Sequence, residues 1–269
     1  MSALPSLFVS HGSPMLAITP TPARAFLAGL AAMLPRPRAI LVVSAQWETA
    51  APMINAVARN ATIHDFGGFP RALFEIEYPA PGEPVLAARV ASLLTAAGFA
   101  TGIDTARGLD HGAWVPVMLA WPAADVPVLQ LSVQTALGPD HAFAVGRELA
   151  PLRDEGVLVL GSGSFTHDLR RFRGQAVDAP ETADVTAFSD WMDAAIARTD
   201  GTALLDYRRL APHARDEHPT EEHLLPLFTA MGAAGTGFVA RRLHRSTEHA
   251  ILRMDAYAFD GVRDRATAG

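Results

Sequence analysis

Ten histidines in a chain with neither cysteine nor lysine hold most of the chemistry this sequence can offer. Without cysteines, disulfides and thiolate-ligated metals are excluded, so any metal is expected on imidazole, carboxylate, amide or water. All 22 basic residues are arginine, which removes Schiff-base catalysis and a phosphate-loop lysine. A neutral imidazole is a good ligand for Fe(II) or Zn(II), and sets of histidines leave coordination positions open for small molecules.

The histidines differ in setting. The apolar run Gly156 to Leu160 breaks into Gly161-Ser162-Gly163-Ser164 and then presents His167 beside Asp168. Leu7 to Val9 runs into Ser10-His11-Gly12-Ser13, and Ala39 to Val43 into Ser44-Ala45-Gln46-Trp47. A buried strand opening into a small-residue loop is how an α/β sheet offers a ligand at its carboxyl edge, so three such ends suggest one shared site. His111 also lies beside glycine in a segment read as a loop, where backbone and ligand can approach closely. His223 sits in the first turn of a predicted helix, after His218 and Pro219. His141, His213, His244 and His249 read as structural. The residues alone leave open that several loop histidines are simply unconnected.

The elements that must position these side chains alternate. Helices are predicted over residues 21–34, 84–97, 114–121, 140–152, 180–198, 204–207 and 220–231. Strands are predicted over 39–44, 51–58, 126–133, 156–160, 236–243 and 251–259, with 51–58 expected beside 39–44. Residues 108–111 read as a loop, and 62–81 as an ordered loop lining a site, because turn residues there are mixed with Phe66, Phe69, Phe74 and Tyr78. Alternation of this kind gives an α/β layer fold, here a central mixed sheet flanked by helices. No composition shift or repeat marks a boundary, so residues 1–269 read as a single domain. The chain is 49% hydrophobic, ample for a large core. Charged residues make up 19% and the net charge is −6, without the clustered basic face a nucleic-acid surface needs. Neither a secretory leader nor a bilayer-length apolar stretch is visible, so no membrane is expected and a cytoplasmic location is.

Seven segments, in order along the chain, then carry a resemblance. They are SHGSPML at 10–16, VVSAQW at 42–47, IHDFGGFP at 63–70, YPAPG at 78–82, DHGAW at 110–114, GSGSFTHDLR at 161–170 and HPTEEHLLPL at 218–227. Together they resemble the DOPA-dioxygenase-type branch of the class III extradiol ring-cleavage dioxygenases, the LigB-like superfamily. The resemblance implies cleavage of a catechol-type substrate next to one of its hydroxyls by O₂ on non-haem Fe(II), with Zn(II) able to take the metal position. It assigns His11, His167 and His223 as metal ligands, His111 as acid/base over the substrate, and His64 as a pocket residue. Phe66, Phe69, Trp47 and Trp114 could wall the ring, although ordinary core packing explains both tryptophans equally well.

One position departs from the pattern. The second strand end normally reads SAHW, with its histidine on the metal, and this chain has Gln46. An amide oxygen can coordinate, but it is a weaker neutral donor than imidazole. Gln46 can ligate through oxygen, stand behind the ligands, or leave a site that holds metal poorly; the reading adopted is a three-histidine site with Gln46 beside it. Two rivals stay open. One is a zinc-dependent hydrolase; the other is a non-catalytic relative that binds a small aromatic ligand.

Overall fold

Strands buried on both faces read as unbroken apolar runs, and here such runs form the middle of one sheet. The computed structural model describes residues 3–261. Its strands are β1 (Ser6–Ser10), β2 (Ala39–Glu48), β3 (Met53–Asn55), β4 (Gly102–Asp104), β5 (Val128–Val133), β6 (Val157–Gly163), β7 (Val239–His244), β8 (Thr247–Glu248), β9 (Leu252–Arg253) and β10 (Ala256–Asp260). Eight of them form a mixed sheet in the order β4-β3-β5-β2-β6-β1-β10-β7, and β8 and β9 pair separately. The four central strands β5, β2, β6 and β1 are mutually parallel, which brings their carboxyl ends to one rim.

Side chains alternate across that centre. Phe8, Leu41, Val43, Val157 and Val159 join one apolar core, and Leu7, Val9, Ile40, Val42, Leu158 and Leu160 join the other. The first core takes in the helices Pro84–Ala96, Gly138–Asp154, Ala183–Ala197 and Leu225–Ala234; the second takes in Pro22–Gly29 and His111–Ala120. The expected sheet between helical layers is therefore the observed one. No helix among the described residues is long and apolar enough to cross a membrane.

Several boundaries move. Strand β2 continues to Glu48, so Gln46 and Trp47 lie on a strand and not in a loop. The strand expected over 51–58 shrinks to β3 and pairs with β4 and β5, not β2. A turn held by Thr49 Oγ1 to the Ala51 carbonyl, with Thr49 N–H on Val133 O, carries the chain past β5. The segment 251–259 splits into β9 and β10, and a short helix, Arg71–Phe74, interrupts the loop 62–81.

Two shifts bear on the site. His111 is the first residue of the helix His111–Ala120, which Asp110 caps by accepting from Ala113 N–H. The buried Pro116 deflects the sequence reading, because proline is most at home in a first turn. His223 precedes the helix Leu225–Ala234, whose first turn holds Pro226; it sits in a turn closed by Leu224 and Leu225 N–H on Glu221 O.

Candidate active site

Three of the four central strands, β1, β2 and β6, deliver a residue to a common point. His11 follows β1, and its backbone N–H bonds Gly163 O of β6. Gln46 lies on β2, and His167 follows β6. The His223 turn reaches the same place because β6 has no side chain in its way: a Cβ on Gly163 would lie 2.0 Å from His223 O, while Ser164 N–H bonds that carbonyl at 2.8 Å. Gly112 does the same from the other core; a Cβ there would stand 2.6 Å from Ser44 Oγ and 3.3 Å from His11 Cε1.

Four imidazoles meet. The His11 ring centroid is 5.4 Å from that of His111 and 5.6 Å from that of His223, and His167 stacks on His223 at 3.4 Å. Burial, reinforced by the neighbouring imidazoles, holds His11 and His223 well below the ordinary histidine range. His167 is lowered to about 4, again chiefly by burial. All three present neutral rings with lone pairs to offer.

Hydrogen bonds fix which nitrogen offers it. His223 Nδ1 lies 2.9 Å from Glu222 Oε1, so it carries the proton and Nε2 is the acceptor. His11 Nδ1 lies 3.1 Å from Ser162 Oγ, and that hydroxyl already donates to Gly112 O. His11 therefore donates from Nδ1 and also turns an Nε2 lone pair inward. Gln46 Nε2 stands between them, 3.2 Å from His11 Nε2 and 2.9 Å from His223 Nε2, and its two amide hydrogens satisfy both.

The residues fit a divalent metal on this ground: neutral imidazoles whose far nitrogens are anchored by a hydroxyl and a carboxylate, as metal-binding histidines usually are. His11, Gln46 and His223 form one grouping. A second groups His167, Glu222 and His223, whose ligand atoms lie within 4.8 Å of one another. The bonds of Glu222 Oε1 to His223 Nδ1 and Thr220 Oγ1 speak against Glu222 as a ligand, so an ion would sit between His11 and His223, with His167 and Gln46 at hand. In that arrangement the carboxylate orients the ring.

His111 stands apart from this lone-pair cluster. Its backbone N–H and its Nδ1 each lie 3.0 Å from an oxygen of Asp65. Burial alone would raise the Asp65 carboxyl, but its bonds to His111 outweigh that and hold it below its usual range. The pair leaves His111 Nε2 to exchange a proton with a ligand. Below it, buried Asp110 receives Ser44 Oγ at 2.7 Å, Arg107 Nη2 at 2.9 Å and the Gln130 amide, which fixes the helix start against β2 and β5.

The cluster opens into a cavity of about 450 Å³, within the usual range for small-molecule sites. His111, His167, His223, Gln46, Phe66 and Phe69 line it. Three residues expected at the pocket do not. His64 donates from Nε2 to Ile76 O at 3.0 Å and packs behind Phe66 and Trp114. Trp47 is buried beneath the Arg107 guanidinium, 4.4 Å from its ring; successive strand residues point to opposite faces, so Gln46 in the cavity puts Trp47 behind it. Trp114 is core as well, with Nε1 on Ile63 O. Conversely His249, read as structural, lines the cavity. Asp65, Ser162 and Glu222 also escaped the sequence reading. Only Asp65 and Glu222 left a trace there, each being the neighbour of a histidine.

Residues 6–253 match the family described as the catalytic LigB subunit of aromatic ring-opening dioxygenase. The chain is 43% identical over 263 residues to a 4,5-DOPA dioxygenase extradiol of Beta vulgaris, covering 94% of this chain and 96% of that protein. With the protein of the same name from Escherichia coli K12 it shares 38% over 233 residues, covering 86% and 85%. A crystal structure of an uncharacterized Escherichia coli K12 protein superposes with a TM-score of 0.78 at 32% identity, covering 95% of this chain and 99% of that one.

Proposed function

The chain belongs to the LigB family of aromatic ring-opening dioxygenases and is an extradiol dioxygenase, and we propose that it opens catechol-type rings with Fe(II) held at the histidine cluster. The carrying observation is the convergence of the His11 and His223 Nε2 atoms on Gln46. His11 and His223 would hold the ion, with His167, stacked on His223, as the third ligand and Gln46 beside it. Bound there, Fe(II) would supply a path for electrons between the ring and O₂; Zn(II) would fill the same donors without that redox chemistry.

The chain's own residues do the rest. His111 takes the proton of a substrate hydroxyl at Nε2 while Asp65 holds Nδ1–H and stabilises the imidazolium that forms. Phe66, whose ring stands edge-on 5.8 Å from His111, and Phe69 behind it wall the aromatic ring and exclude water. We extend the same reading to the whole of residues 1–269 as one catalytic domain working in the cytoplasm, with a small aromatic substrate and O₂ as its partners.

Anaerobic reconstitution with Fe(II), followed by air and a panel of catechols, tests the proposal. A yellow ring-opened semialdehyde is expected. Absence of product from every catechol, with iron bound, would remove it.

A further inference from the structure

One wall of the cavity is carried by a single turn. Leu169 and Phe172 both line the cavity. They lie on and just after the 3₁₀ turn Leu169–Arg171, which Phe172 N–H closes on Leu169 O at 3.1 Å. In such a turn positions i and i+3 share a face, so two apolar side chains are presented to a bound ring together. Both stay about half exposed, Leu169 at 54% and Phe172 at 45%, as residues at the mouth of a cavity do.

Most bonds of this segment stay inside it. Asp168 takes the backbone N–H and the guanidinium of Arg170, Arg173 donates to the carbonyls of Arg170 and Phe172, and Gln175 Nε2 donates to Arg171 O. Among the described residues, the side-chain hydrogen bonds that tie 168–174 to the rest of the molecule all come from the Arg171 guanidinium. Its Nη1 donates to Glu217 Oε1 at 2.9 Å, and its Nη2 to Asp184 Oδ2 at 2.7 Å and Thr182 Oγ1 at 3.1 Å. Glu217 is fully buried, and Thr182 and Asp184 stand at the start of the helix Ala183–Ala197. A planar fork with both arms on fixed oxygens sets a direction as well as a distance. The other tie is looser, the ring of Phe172 meeting His249 edge-on at 5.2 Å.

We propose that Arg171 is a positioning residue for the substrate: without lining the cavity, it holds Leu169 and Phe172 against the bound ring. The proposal rests on the ring-cleavage reading for the nature of the ligand, a catechol. With the fork removed, the turn keeps its internal bonds but nothing fixes its angle to the histidine cluster, so the ring loses one apolar wall while the cluster itself is untouched.

Binding of 4-methylcatechol under nitrogen, by calorimetry on the as-isolated protein, tests it. Arg171→Gln should weaken binding about tenfold, the order of what one apolar wall contributes. Arg171→Lys keeps a cation beside the buried Glu217, which protects the fold, and should fall between Arg171→Gln and the wild type because an ammonium cannot reproduce the fork. In a Leu169→Ala/Phe172→Ala background, Arg171→Gln should change affinity by less than about twofold, since the side chains it positions are gone; a merely structural role would cost the same in both backgrounds. In turnover the loss should appear in KM and not in kcat, and Zn(II) uptake should stay at the wild-type level. Wild-type affinity in Arg171→Gln, an equal loss in the two backgrounds, or Zn(II) uptake falling together with catechol affinity would overturn the assignment. A wild type that binds no catechol would remove the reading beneath it and this proposal as well, whereas normal wild-type binding with any of those three results removes the positioning role alone.

Discussion

The side-chain amide nitrogen of Gln46 lies 2.9 Å from His223 Nε2, on the lone pair that the Glu222 bond to Nδ1 leaves free. A metal ion drawing on that lone pair must displace the amide or turn it over to present its oxygen. The same holds for the second bond, to His11.

Gln46→His should therefore tighten metal binding. Two hydrogen bonds worth ~0.5–1.5 kcal/mol each no longer compete, and a stronger donor is added. At 1.4 kcal/mol per factor of ten, we expect a gain of at least about tenfold. Calorimetric titration with Zn(II) reads it, and an unchanged affinity would set Gln46 beyond the ion's reach.

His111→Phe should lower turnover by ~10²–10⁴, the usual contribution of a positioned proton carrier. Metal content should stay at the wild-type level. Asp65→Asn keeps the ring in place but removes the charge that stabilises its protonated form, so a smaller loss, ~10–100-fold, is expected. Loss of metal from the His111 variant, measured by elemental analysis, would reassign it as a ligand.

Gly163→Ala should cost ~1–3 kcal/mol of stability, because the new Cβ meets the His223 carbonyl at 2.0 Å and the backbone there has little room to yield. Since the displaced turn carries His223, metal retention should weaken in parallel. Gly201→Ala, with open space at its Cβ, should change stability by no more than ~1 kcal/mol. Thermal melts that rank the two variants equally would refute the crowding argument.

Acid should unfold the metal-free protein. His167 and His218 are lowered from 6.5 to about 4 by burial, and His11 and His223 fall well below 6.5 for the same leading reason. Between those values the unfolded chain binds more protons than the native one, so stability drops as pH falls from 6.5 toward 4. The slope is up to ~1.4 kcal/mol per pH unit per histidine. Glu217 acts oppositely: burial raises it from 4.5 to about 7, so its contribution is full below 4.5 and lost as pH rises toward 7. Asp110, Glu248 and Asp255 are raised by burial as well. Asp65, Asp168, Glu181 and Asp184 are instead lowered by their bonds and partners, so the carboxyls largely offset one another and the buried histidines set the direction. A melting temperature that stays level or climbs between pH 7 and pH 5 would contradict this balance.

The central strands were legible because burial on both faces writes itself into sequence as unbroken Val, Leu and Ile, as in β2 and β6. The convergence of His11, Gln46 and His167 was legible only as an inference from three strand ends, and that of His223 only through the family resemblance, since distance in space has no local sequence signal. The misplaced starts of the helices at His111 and Leu225 share one cause: Pro116 and Pro226 are ambiguous punctuation. His64 and Trp47 lay in the right segments but on the wrong side, because a shift of one residue along a strand or loop reverses which face a side chain takes. The place of His249 on the cavity wall was invisible, since a left-handed turn is normally announced by Asn or Gly and here holds His and Ala.

Glu222 and His223 enter from near one end of the polypeptide and His11 from near the other, and they meet only where β1 and β6 lie side by side. No half of the molecule can bring His11 and His223 together, so an ion held by both would report on the pairing of β1 with β6. An ion bound to the native form alone adds RT ln(1 + [M]/Kd) to its stability, ~2.7 kcal/mol at a hundredfold excess over Kd. Chelation should thus loosen the fold as a whole, and a nicked or truncated chain should be recognisable by the metal it fails to keep.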